Sequence, residues 1–188
     1  MGLACAEWAY TPNEEPILLT NDLVLIQDYD SSWPDVFSRL ASRVKAALGD
    51  LVLTVEHIGS TAVPGLAAKP VIDLDVIVPS PTDLPEAIRL LRRLGYVHEG
   101  NLGVAGREAF RFPHGESPHH LYLLAGGATE LRRHLAFRDA LRNDEALRGR
   151  YAALKRALAE DHHGDRSGYT EAKSAFISAT LSHRPTDD

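Results

Sequence analysis

Cysteine is nearly absent from this 188-residue chain: Cys5 stands alone. One thiol excludes an internal disulfide framework and a cysteine-based zinc cluster, and it fits a reducing cytoplasm. Long apolar runs are also missing. None approaches the roughly 18 residues of a membrane-spanning helix. The opening Met1-Gly2-Leu3-Ala4-Cys5-Ala6 lacks the charged and apolar regions of a signal peptide, and Ala6 lacks the hydroxyl of a myristoylation pattern. A cytoplasmic protein without membrane association is the expectation. Basic excess is absent too, with 20 Lys and Arg against 26 Asp and Glu, a net charge of −6. That balance argues against general nucleic-acid binding but leaves room for a local cationic pocket. Two nucleotide motifs are missing as well. Gly59 and Gly65 are wrongly spaced for a Walker A loop, and Leu66 stands where its lysine would be; Gly100, Gly103 and Gly106 do not make G-x-G-x-x-G.

What is present describes an ordinary globular domain with a helical extension: 44% hydrophobic and 24% charged residues. Residues 1–16, with Pro12 and Pro16, read as an arm. Residues 17–126 read as a mixed α/β core. Leu23–Gln27 is a short strand, and Trp33-Pro34 opens a helix whose apolar positions Val36, Phe37, Leu40, Val44 and Leu48 recur at helical spacing up to Gly49. Leu51–His57 and Val71–Val78 are strands, with a short helix ending near Leu66 between them. A helix over 82–94 and strands at 96–99, 108–112 and 120–124 follow. Residues 127–183 read as a C-terminal helical region packed on the core (helices near 129–142, 144–162 and 168–182), and 184–188 as a polar tail.

The chemistry concentrates between Val55 and Val78. Ile58-Gly59-Ser60 turns the chain after one apolar run, and Asp73-Leu74-Asp75 lies inside the next. Side chains alternate on a strand, so Asp73 and Asp75 share a face while Leu74 and Val76 take the other. Two carboxylates on a mostly buried strand are costly unless neutralised, and a divalent cation does this directly. A Gly-Ser turn opening a helix offers phosphates close backbone approach, free N–H groups and a hydroxyl. The combination points to a metal-assisted nucleotide site.

The stretch from His57 to Asp75, H-I-G-S-T-A-V-P-G-L-A-A-K-P-V-I-D-L-D, resembles the signature of the GrpB family, a bacterial group of poorly defined activity. Tyr29-Asp30 with Trp33-Pro34 and Phe37 fits the same pattern. So do Ala136-Phe137-Arg138-Asp139 through Arg142, Tyr151 and Lys155, and Tyr169 with Lys173, Phe176 and Ile177. The resemblance spans about residues 23 to 181. It implies an α/β (α+β), nucleotidyltransferase-like fold: a mixed sheet flanked by helices, followed by a helical region. It also implies transfer of a nucleotidyl group from a nucleoside triphosphate to an unidentified small acceptor. Mg²⁺ (or Mn²⁺) would sit on Asp73 and Asp75, and the phosphates on Gly59, Ser60 and Thr61. The superfamily's third acid, expected from a neighbouring strand, has no counterpart in His119-His120-Leu121-Tyr122-Leu123-Leu124. That absence keeps a second expectation open, a catalytically silent module for a nucleotide. A coenzyme A-related ligand belongs to the same expectation, because related domains are attached to dephospho-coenzyme A kinases.

The remaining candidates are cations and imidazoles. Lys69, His57, Arg111, His120 and Arg138 are candidate phosphate contacts beside the motif or in the helical half. Arg107, Arg142, Lys155 and Lys173 are weighed as solvated faces or surface ion pairs, with at least two of the cations expected to face the cleft. His119 and His120 point to opposite strand faces, so at most one serves the site; zinc, which needs three or four converging ligands, is disfavoured. His162-His163 is read as structural, near a helix end.

Overall fold

The computed structural model describes residues 25–161 and 166–182. The arm at 1–16, the start of the strand proposed from Leu23, His162-His163, the side chain of Tyr169 and the tail from 184 lie outside the described residues or side chains.

Helix α1 (Trp33–Leu48) begins where the Asp30 carboxylate accepts the Ser32 backbone N–H at 2.8 Å, which holds the Asp30 carboxyl below its usual range, and Pro34 fits the first turn. It ends at Gly49, which adopts φ 57°. A 3₁₀ turn over Gly49–Leu51 leads to β1 (Thr54–Ile58), shorter than the expected strand from Leu51. Ser60–Ala62 is a single 3₁₀ turn and not the expected helix to Leu66. Pro64 explains the difference: it disfavours helical backbone at Val63, which is extended at φ −108°, ψ 110°. The turn expected to cradle phosphates therefore has no helix dipole behind it.

Strand β2 (Ile72–Val78), helix α2 (Leu84–Arg93), and strands β3 (Val97–Gly100), β4 (Arg107–Arg111) and β5 (His119–Ala125) complete the sheet layer. The order is β1-β2-β5-β4-β3, with β2 and β5 parallel and the other pairs antiparallel. Helices α3 (Thr129–Asn143), α4 (Glu145–Asp161) and α5 (Arg166–Ser182) follow. None of the described helices is long and apolar enough to cross a membrane.

Strand alternation sorts the side chains into two faces. Val55, Leu74, Val76, Val78, Phe110, Leu121 and Leu123 join Leu40, Val44 and Leu48 of α1 and Ala87 and Leu91 of α2 in the main core. A second core forms where Val63 and Leu66, just past the Gly-Ser turn, meet Leu141 of α3 and Tyr151 of α4, with Phe137 and Phe176 packed around them. This second core ties the turn to the helices. The sheet face between the two cores is where the polar residues of β2 emerge.

Candidate functional site

Register places the acids. Asp73 pairs with Ile58 of β1 and His120 of β5; Asp75 pairs with Glu56 and Tyr122. Ala109 of β4 pairs with Tyr122 and Arg111 with His120, so Arg107, Ala109 and Arg111 share this face. The face away from α1 and α2 thus carries Glu56, Asp73, Asp75, His120, Tyr122, Arg107 and Arg111.

Gly59 is shaped around Asp73. Its backbone, φ 71° and ψ −167°, is a conformation essentially reserved for glycine. A Cβ added there would lie 2.1 Å from Asp73 Oδ2. The missing side chain is what lets the turn close on the carboxylate. On its other oxygen, Asp73 Oδ1 is 2.8 Å from His120 Nδ1.

Ser60 meets a residue far along the chain. Lys155 of α4 donates from Nζ to Ser60 Oγ at 2.9 Å and to the Ala67 carbonyl, with the same nitrogen 4.7 Å from the centre of the Tyr151 ring. Lys155 is only 2% exposed, and burial lowers its pKa from 10.5 to about 7, with Lys173 and Arg156 pushing the same way. Two neighbours strengthen the frame. Arg142 donates through Nε and Nη2 to the Ala62 carbonyl, and Arg138 donates to Glu56 Oε2 at 2.8 Å and to the His57 carbonyl.

Asp75 is fully buried. His134 of α3 contacts it through Nδ1 at 2.7 Å from Oδ2, and the far nitrogen of that ring is 3.1 Å from Glu130 Oε1. Burial raises the Asp75 carboxyl above its usual range. Burial works against a charged His134, yet the contact with Asp75 raises its pKa all the same. Asp75 Oδ1 is buried with no hydrogen-bond partner, an arrangement that is costly unless a ligand supplies positive charge.

Several expected residues fall elsewhere. His57 pairs with Leu74 and so faces the α1 side, stacked on Phe37 at 4.5 Å between ring centres with Nε2 3.1 Å from Thr61 Oγ1. Burial lowers its pKa to about 4, keeping it neutral. Thr61 is 1% exposed and its hydroxyl also donates to the Val71 carbonyl. Both brace the turn from behind and neither reaches the acid face. Arg138 is committed to Glu56 and Asp139. Lys69 and Arg111 are exposed, each with an interaction of its own. His119 is buried on the core face, 2.8 Å from the Tyr96 hydroxyl, while His120 joins Asp73, so the alternation argument held for this pair.

Two residues of the candidate site escaped the sequence, and a third was only weighed. Glu56 stands across from Asp75 as a third carboxylate of the face, on β1 where a third acid was sought on β5. The alternation V-E-H before the glycine contains that information once the register is known. His134 carried no signal beyond helical spacing. Lys155 was part of the family pattern and was weighed among the cations that could face the cleft, but the sequence did not single it out as the one that reaches Ser60.

Comparison with known proteins gives the fold and the family. A solved structure of the poly(U) polymerase Cid1 with MgGTP bound superposes with a TM-score of 0.50 over 72% of this chain and 44% of that one, at 16% identity. The fold is thus nucleotidyltransferase-like. A crystal structure of the conserved protein GrpB from Enterococcus faecalis matches more fully, with a TM-score of 0.71 and 32% identity over 84% of this chain and 99% of that one. Residues 23–183 match the family described as GrpB protein, and the chain belongs to that family. Among relatives, UPF0157 protein BH1888 of Halalkalibacterium halodurans is 35% identical over 162 residues, 84% of this chain and 80% of its own. A dephospho-CoA kinase of Mycolicibacterium paratuberculosis is 28% identical over 173 residues, 79% of this chain but 42% of its own.

Proposed function

We propose that this protein transfers a nucleotidyl group from a nucleoside triphosphate to a small acceptor with the help of Mg²⁺ or Mn²⁺. The observation that carries the reading is a convergence at one end of β2: Gly59 closes on Asp73 while Lys155, from α4, reaches Ser60. A hydroxyl and a cation beside two acids suit a polyphosphate bridged to a metal. Ser60 and Lys155 bind the phosphates, and Arg142 keeps the turn in place through the Ala62 carbonyl.

The donor chemistry fits a hard divalent cation. Asp73 and Asp75 would hold it, and the buried, unpartnered Asp75 Oδ1 is the oxygen most in need of it. When bound, the cation would draw charge from the phosphate oxygens. Among the described residues no three His, Cys, Asp or Glu side chains form a complete metal cluster. Water and phosphate oxygens would therefore complete the shell.

A second reading is a nucleotide- or coenzyme A-related-ligand-binding module without turnover. His134 seated on Asp75 favours it, as does the absence of an acid on β5 beside the pair. Likeness to a dephospho-CoA kinase brings coenzyme A and its precursor among the ligands to test.

The test is thermal shift with ribonucleoside triphosphates, coenzyme A and dephospho-coenzyme A, each with and without Mg²⁺. A ligand at 100 times its Kd stabilises by about 2.7 kcal/mol. The expected result is a Mg²⁺-dependent shift with a triphosphate that vanishes in Asp73→Asn/Asp75→Asn, accompanied by pyrophosphate release when the acceptor is present. Binding without release for any acceptor supports the module. No shift with any triphosphate sinks the transferase reading.

A further inference from the structure

The acids of β2 have cationic groups on both sides along the sheet. Toward β1 lie the Gly-Ser turn and Lys155, which the proposed triphosphate occupies. Toward β5 and β4 lie the guanidinium groups of Arg111 and Arg107, with the His120 imidazole next to Asp73. The sequence offered Arg111 as a phosphate contact, but the proposed triphosphate site on Ser60 and Lys155 uses neither arginine. Asp73, His120 and Arg111 form one row across three neighbouring strands, since Asp73 pairs with His120 and His120 with Arg111. In the next rows, Arg107 bends its guanidinium over Tyr122, 4.5 Å from the ring centre, and Tyr122 pairs with Asp75. Arg107 Nε is buried without a hydrogen-bond acceptor. A buried guanidinium donor without a partner is costly and is a place where an oxyanion gains most. The one carboxylate of β4, Glu108, turns to the opposite face, where it meets His98 at 2.6 Å.

We propose that the β4–β5 half of this face is a second anion site, and that the second substrate is a small molecule bearing a phosphate or carboxylate held by Arg107 and Arg111. The inference rests on the nucleotidyl-transfer reading and adds the chemical class of the acceptor. One triphosphate tail satisfies the Ser60–Lys155 side, so the arginines across the acid pair serve a separate anion. The two guanidinium groups disfavour a cationic acceptor on this half of the face. A nucleic-acid acceptor is disfavoured by the net charge of −6.

The experiment follows arginine Nε–H signals by NMR on the full ¹⁵N-labelled chain. Inorganic phosphate, acetate and a uridine tetranucleotide are titrated with and without Mg²⁺ and a non-hydrolysable ATP analogue. Phosphate is expected to shift the Arg107 and Arg111 signals saturably, and to do so with the analogue bound. Arg107→Gln/Arg111→Gln should weaken phosphate at least tenfold and the analogue less than twofold, while Lys155→Met does the reverse. Arg111→Gln, at an exposed position, and the charge-preserving Arg107→Lys guard against a folding defect. A larger response to acetate than to phosphate would assign a carboxylate acceptor, and the opposite a phosphorylated one. Competition between phosphate and the analogue, or equal loss of both in the double variant, overturns the second site and returns the arginines to the nucleotide. Silent arginine signals with both small anions also overturn it. Tetranucleotide binding tenfold tighter than phosphate at the same arginines overturns the small-molecule class. Failure of the analogue to bind is read on the Lys155 side and overturns the transferase reading separately.

Discussion

Replacing Gly59 with alanine tests the local architecture on which the candidate site depends. The added Cβ would lie 2.1 Å from Asp73 Oδ2, 2.9 Å from its Cγ and 3.0 Å from its Cβ, so Asp73 has to move. Backbone at φ 71°, ψ −167° costs a residue with a side chain about 1–3 kcal/mol. Displacing Asp73 also breaks its contact with His120, worth about 0.5–1.5 kcal/mol. The expected loss is about 2–4 kcal/mol, read as a lower urea midpoint with an unchanged slope. In a cycle with Asp73→Ala, the clash with the carboxylate disappears but the backbone strain remains. A favourable coupling of about 1 kcal/mol is therefore expected. Equilibrium unfolding of the four proteins at pH 7 measures it. A loss below about 1 kcal/mol, or strict additivity within the usual ~0.5 kcal/mol, would refute the claim that Gly59 is glycine because Asp73 lies against it.

Further outcomes follow from the buried groups. Lys155 has a pKa of about 7 in the folded chain against 10.5 unfolded, so the unfolded state binds more protons between those values and stability rises with pH across that window. The full shift corresponds to roughly 5 kcal/mol. Lys155→Met should lack this rise when its unfolding free energies at pH 7 and pH 10 are compared with wild type; parallel profiles would contradict it. His57 has a pKa of about 4 against 6.5, so its contribution is complete above pH 6.5 and is lost as pH falls toward 4. His57→Phe should flatten that acid limb, and an unchanged limb would show that other groups cause it. Tyr151 is 2% exposed between Phe137 and Phe176, so Tyr151→Ala should cost about 3–5 kcal/mol in chemical denaturation, and a loss under 1 kcal/mol would argue against the second core.

Much of the site was legible before folding was considered. A period of two places Asp73 and Asp75 on one face and Leu74 and Val76 on the other, whatever the strand packs against. The same period separates His119 from His120. Glycine before Ser60 marked a turn that no other residue makes comfortably, and the length of the motif was enough to reveal the family. The helix expected after that turn was the local error, because Pro64 limits it to three residues. His57 is a different kind of error. Alternation shows that Glu56 and His57 face opposite ways, but not which of them faces the acids.

That choice belongs to strand pairing, and strand pairing belongs to the whole fold. The sequence by itself determined which residues share a face, where the chain turns and which family it joins, because these depend on neighbours within a few positions. Only the tertiary structure decided that Glu56 stands opposite Asp75, that His134 contacts the buried acid, and that Lys155 reaches Ser60. These partners lie 19, 59 and 95 positions apart. They meet because burying the apolar faces of β2 and α1–α5 admits few arrangements of sheet and helices. The polar groups brought together by that burial must then satisfy one another or bind a ligand.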